Sequence, residues 1–131
     1  MRVIGLGSFV ALTLLMVTVT PAKAHHSFDA EYDSTKIVNH TGVVAKIEWQ
    51  NPHAYLYINC KDESGEVKPL RFELGPPYAL LRGGWKKDTV KIGDTVSVEN
   101  GAMAKDPRNN WVGALGNTTL ITSTGERLTM R

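Results

Sequence analysis

The sequence predicts an all-β fold: a small OB-like antiparallel barrel with one short helix between strands 3 and 4. Three observations lead there. Apolar and polar residues alternate with period two in several short runs, and Gly, Pro, Asn and Asp clusters separate those runs. One segment that opens with proline and closes with glycine falls between the third and fourth runs, where an OB-like barrel carries its helix. A lipocalin-type barrel needs more strands than the chain can supply, and the helix position argues against an immunoglobulin-like sandwich.

The elements follow in order along the chain. Residues 1–24 read as a signal peptide: Arg2 precedes an apolar stretch from Val3 to Val19, and Ala22-Lys23-Ala24 is the small-x-small pattern of a cleavage site. The expected destination is periplasmic or secreted. The stretch is short and rich in Thr and Gly for a membrane span, and no second apolar run follows it. No stable membrane insertion is therefore expected after cleavage. Residues 25–36, HHSFDAEYDSTK, are polar and acidic with Phe28 and Tyr32 as large anchors, and read as an extended N-terminal arm. A single OB-like domain is expected over 37–131.

Within that domain, 37–49 is rich in β-branched residues and puts Val43, Ala45, Ile47 and Trp49 on one side. Asn51-Pro52 interrupts it. Residues 54–60 resume as AYLYINC, with Tyr55, Tyr57 and Asn59 on one face and Leu56, Ile58 and Cys60 on the other. After the turn cluster DESGE, Leu70, Phe72 and Leu74 mark a third alternating run. Pro77 suits the first turn of a helix over Tyr78 to Arg82, which Gly83-Gly84 ends. Val96 and Val98 share a face of a fourth strand, extended to Lys105 past a bulge at Asn100-Gly101. Trp111 to Leu115 and Thr118 to Thr122 make the last strand or pair of strands, and a short tail follows.

Charge narrows the function. The chain carries 15 Lys and Arg against 13 Asp and Glu. Removing residues 1–24 leaves 107 of the 131 and takes away Arg2 and Lys23, so the mature chain has 13 of each sign. No nucleic-acid partner is expected of a chain without excess positive charge. Cys60 is the only cysteine and cannot form an intrachain disulfide, so the domain must be held by packing. It reads as a small buried hydrophobe; a role as a soft Cu(I) ligand would need Met103 beside it. No HExxH or CxxC spacing, no glycine-rich phosphate loop and no recognisable nucleophile order is present, so the chain is not expected to be an enzyme.

The remaining chemistry sits at the cleavage point. A cut after Ala24 frees the α-amine of His25, and that amine with Nδ1 of the same residue closes a chelate ring on a metal. A third imidazole, from His26 or His53 with His40 less well placed, completes a nitrogen set suited to Cu(II). His53 follows Asn51-Pro52 between two strands and is expected at a barrel rim, either facing the arm or bonding a backbone carbonyl. Glu48 and Asp33 are candidates to orient an imidazole. The alternative is a metal-free carbohydrate-, peptide- or protein-interaction module, in which Trp49, Trp85, Trp111, Tyr55 and Tyr57 supply barrel-face aromatics. The expected partners are thus a metal ion or small ligand, or a protein.

The words HHSF, EYD, TGVV, EWQNPHAYLYI, FELGPPYALLRGGW and GDTVSV together resemble a group of small exported bacterial proteins classed as a family of unknown function. The resemblance runs from His25 to about Trp111. It implies export and a small β-barrel, and no activity. Carried over position by position, its hallmark residues are His25, His26, Phe28, Asn51, Pro52, His53, Glu73, Leu74, Gly75, Leu81, Arg82 and Trp85.

Overall fold

A computed structural model describes residues 27–131. The signal peptide expected at 1–24, and His25 and His26, lie outside the described residues.

Eight elements follow one another: α1 (Phe28–Glu31), β1 (Tyr32–Glu48), β2 (Tyr55–Lys61), β3 (Val67–Glu73), α2 (Pro77–Arg82), β4 (Thr95–Ala104), β5 (Trp111–Ile121) and β6 (Arg127–Thr129). The six strands form one mostly antiparallel sheet in the order β3-β2-β1-β4-β5-β6. A further, parallel pairing joins β3 to β5, so each of β1 to β5 has at least two hydrogen-bonded neighbours. Among the described residues no helix is long and apolar enough to cross a membrane.

The short helix lies where expected, between β3 and β4, with Pro77 in its first turn. Gly84 follows its end at φ 102°, a backbone conformation that glycine reaches without cost. The bulge in β4 is also as expected. Asn100 has φ 61°, and the β4–β5 register shifts between Glu99 and Gly101. Thr118, buried on β5, accepts from the Leu115 N–H and donates to the Asn100 carbonyl, each at 2.6 Å, which pairs the groups that the bulge removes from the ladder.

Three expectations need correction. The stretch 25–36 does not run as an extended arm without regular elements over its described residues, 27–36. Phe28–Glu31 makes one helical turn, and β1 begins at Tyr32, whose backbone pairs with Ala104 of β4. Val43, Ala45, Ile47 and Trp49, expected on one side of β1, are not: Val43 is 42% exposed and Val44 is buried. The β1–β2 register shifts between Val44 and Lys46, and the extra residue, Ala45, reverses the alternation so that Ile47 and Trp49 do pack on the core. Finally, Trp111–Ile121 is one strand, within what the sequence predicts, but the tail is not structureless: it forms β6 against that strand.

That tail completes the core. Leu128 and Met130 are buried with Leu74, Leu80, Trp85 and Leu120. The Met130 N–H donates to the Thr118 carbonyl at 3.0 Å, and its own carbonyl accepts from the Gly75 N–H at 2.8 Å. The Trp85 indole N–H is satisfied by the Thr129 carbonyl at 2.8 Å, so the tail also supplies the one polar partner that this buried ring requires. Cutting Met130→Ala should destabilise the protein by about 2–5 kcal/mol in urea unfolding. A loss below about 0.5 kcal/mol would show that the tail lies outside the cooperative core.

Candidate functional site

Strand pairing sets the site. Partners in adjacent strands share a face of the sheet, and neighbours along one strand alternate between faces. The registers of β1, β2, β3 and β5 therefore build two rows on the face turned away from the core. One row reads Lys46, Tyr57, Arg71, Trp111; the next reads Glu48, Tyr55, Glu73, Gly113. Leu56, Phe72 and Val112 pair between them on the inner face, and all three are buried.

Gly113 leaves room at the end of the second row. A Cβ there would lie 2.5 Å from Cε2 of Phe28 and 2.7 Å from Cγ of Tyr32. Only a residue without a side chain lets those two rings, 4.8 Å apart, lie against the strand. The segment entering β1 is thereby held on the sheet face. Beside it opens a cavity of about 700 Å³. The sheet contributes Tyr55, Arg71, Glu73 and Trp111, the entering segment Ser27, Phe28 and Glu31, and the β1–β2 connection Pro52 and His53.

A chain of polar groups crosses this cavity. His53 follows the cis Asn51-Pro52 peptide, and its Nδ1 lies 3.0 Å from the Leu74 carbonyl oxygen. A carbonyl only accepts, so Nδ1 carries the proton, and the lone pair of the neutral ring is on Nε2. Nε2 stands 3.7 Å from Oε1 of Glu73, whose side chain is 12% exposed. The other carboxylate oxygen of Glu73 accepts from the Tyr32 hydroxyl at 2.8 Å, and that hydroxyl accepts from Nη2 of Arg71 at 3.5 Å. Burial, reinforced by the Glu73 carboxylate, holds the Tyr32 phenol well above its ordinary pKa. An imidazole with a free nitrogen and a fixed carboxylate thus face one another in a half-enclosed space, a pair that can bind a cation or accept a proton.

Of the residues expected to form a site, His53 is in the cavity. His25 and His26 lie outside the described residues, though Ser27 and Phe28, which follow them in sequence, are in its wall. His40 is elsewhere: it packs edge-on against the core residue Phe72 at 6.0 Å, and burial pushes its pKa down. Asp33 and Glu48 do not orient His53. Asp33 binds Thr35 and Lys36, and Glu48 binds Lys46 and Tyr57; Glu73 faces the imidazole instead. Cys60 is in the core while Met103 is 43% exposed, so no soft sulfur pair is assembled. Among the described residues no three His, Cys, Asp or Glu side chains are grouped to hold a metal. Trp85 is buried and Trp49 packs edge-on against it at 6.2 Å; of the barrel-face aromatics named from the sequence, Trp111 and Tyr55 line the cavity, beside Phe28.

Arg71, Glu73, Tyr32 and Gly113 were not singled out by spacing. The signal for the first two was present: in LRFEL both charged residues fall on the face opposite Leu70, Phe72 and Leu74. Residues 13–112 match a family described as a family of unknown function (DUF6152). The chain belongs to that family. The DUF6152 match takes in His53, Arg71 and Glu73 and ends one residue before Gly113. No curated protein and no solved structure matches the chain.

Tyr32 gives this arrangement a pH signature. Its raised pKa means that its stabilising contribution is complete below the unfolded phenol value of about 10 and is lost as pH rises through the folded value. In a spectrophotometric base titration Tyr32 should ionise only above the ordinary phenol range, with unfolding as it does. Four phenols titrating together and reversibly near pH 10 would rule this out.

Proposed function

We propose that this DUF6152 chain is an exported, periplasmic binding protein that takes up copper at the cavity beside His53, through its mature N-terminal histidines. The observation that carries this reading is the state of His53. Its Nδ1–H is engaged by the Leu74 carbonyl, so Nε2 is the nitrogen free to bind, and Nε2 faces Glu73 within the cavity that Ser27 and Phe28 help to wall. In the sequence His25 lies two residues before Ser27, a span of at most about 7 Å of extended chain. After cleavage behind Ala24, the amine and Nδ1 of His25 together with Nε2 of His53 would supply three nitrogens. Such a set suits the tetragonal preference of Cu(II). His26 is the other source of an imidazole, and Glu73 offers an oxygen beside them.

The same proposal takes the sheet as an OB-like barrel. Its support is the ladder, which runs β1-β2-β3-β5-β4 and back to β1, with α2 between β3 and β4. The metal-free alternative, an interaction module for a carbohydrate, peptide or protein, draws support from Tyr55 and Trp111, which line the cavity.

Titration of protein beginning at His25 with Cu(II), followed by EPR, tests the copper reading. Nitrogen hyperfine structure should appear on binding. His53→Ala should weaken binding by about tenfold or more, and one serine added before His25 should abolish the signal. An EPR spectrum of hydrated copper throughout, or the same binding with the added serine, would refute it. Trp111→Ala should leave copper affinity within about twofold, whereas the interaction module predicts loss of its partner on that change.

A further inference from the structure

We infer that the cavity also holds a metal-independent site for an organic monocarboxylate with a flat, unsaturated or aromatic body, its carboxylate paired with Arg71. The inference goes beyond copper binding and does not rest on it.

The guanidinium of Arg71 is poorly provided for. It lies 3.8 Å from the Trp111 ring centroid and 4.9 Å from that of Tyr55. Both rings attract the cation, yet neither accepts its N–H bonds in the guanidinium plane. Nε is buried with no hydrogen-bond partner, and Nη2 makes one long bond, to the Tyr32 hydroxyl at 3.5 Å. Among the described residues no carboxylate forms an ion pair with Arg71. The nearest candidate by position, Glu73 on the same face two residues along, gives one oxygen to Tyr32 and turns the other toward His53. A guanidinium flanked by aromatic rings, with a buried Nε that has no acceptor and an Nη2 that has one long bond, is under-satisfied, and the two oxygens of a carboxylate match its planar fork.

The rest of the lining selects among anions. Among the described residues the cavity lining holds Arg71 and Arg131 together with Glu31 and Glu73, two charges of each sign beside His53. One added negative charge is tolerated there better than the two of a phosphate, which would meet both glutamates. Phe28, Tyr55, Trp111 and Pro52 offer flat apolar surfaces to an unsaturated body, and about 700 Å³ lies within the range of small-molecule sites.

Benzoate is the probe, titrated into protein treated with EDTA so that copper plays no part, with the Trp111 indole resonance as readout, assigned through Trp111→Phe. Saturable movement of that resonance is expected, and Arg71→Gln should weaken binding by about tenfold or more. Benzamide, the uncharged isostere, should bind the unaltered protein more weakly by a similar factor, which keeps the test open should Arg71→Gln fail to fold. Absence of saturation, equal binding of benzamide, or an equal response to inorganic phosphate would overturn the assignment.

Discussion

Three pairs of residues, Arg71 with Trp111, Phe72 with Val112 and Glu73 with Gly113, make the short parallel ladder on which the rest of the molecule depends. Its middle pair belongs to the core and its outer pairs to the cavity. Because side chains alternate, the two roles cannot be separated: a slip of one residue in β3 would turn Phe72 out to solvent and drive Arg71 and Glu73 into the apolar interior. Burial of Phe72 and Val112, 1% and 3% exposed, therefore fixes which charged groups line the cavity. The hydrophobic effect has no direction of its own, yet through the period of the strand it specifies the chemistry on the opposite face.

Above that ladder the polar groups are arranged economically. Glu73 is largely withdrawn from water but has a hydroxyl on one oxygen and an imidazole near the other, and the ring of Tyr32 that carries this hydroxyl lies against a glycine that leaves it room. His53 is oriented by a carbonyl of the residue next to Glu73, so the two facing groups are referred to one stretch of backbone at the end of β3. Their separation is insulated from motion of more distant loops.

Much of this was legible in the sequence. The alternation in AYLYINC separates Leu56, Ile58 and Cys60 from Tyr55, Tyr57 and Asn59, and the buried positions of β2 follow it. The helix at Pro77 and the bulge at Asn100 follow from local backbone chemistry, which acts over a few residues and reads directly from the letters. The failures share a cause. Val43 and Ile47 fall on opposite faces because of an extra residue in the ladder, and a bulge is a property of two strands that one strand does not reveal. The tail carries no clear signal in the sequence since Met130 is held by Thr118 and Gly75, and Leu128 pairs with Leu120. Likewise, His53 reads as a rim residue from Asn51-Pro52, whereas its neighbour Glu73 comes from a register that links β2 to β3. Long-range pairing was the missing information at each point.

Ser27 and Arg131, the first and last described residues, both line the cavity. A pocket closed by residues about a hundred positions apart has a high contact order, and its walls meet only through long-range pairing of the chain. Strands β1 to β3 can pair early as local hairpins, but the binding space is assembled at the close of folding. Ligand occupancy would then report on the paired sheet as a whole, since Trp111 and Arg131 lie outside the β1–β3 hairpins.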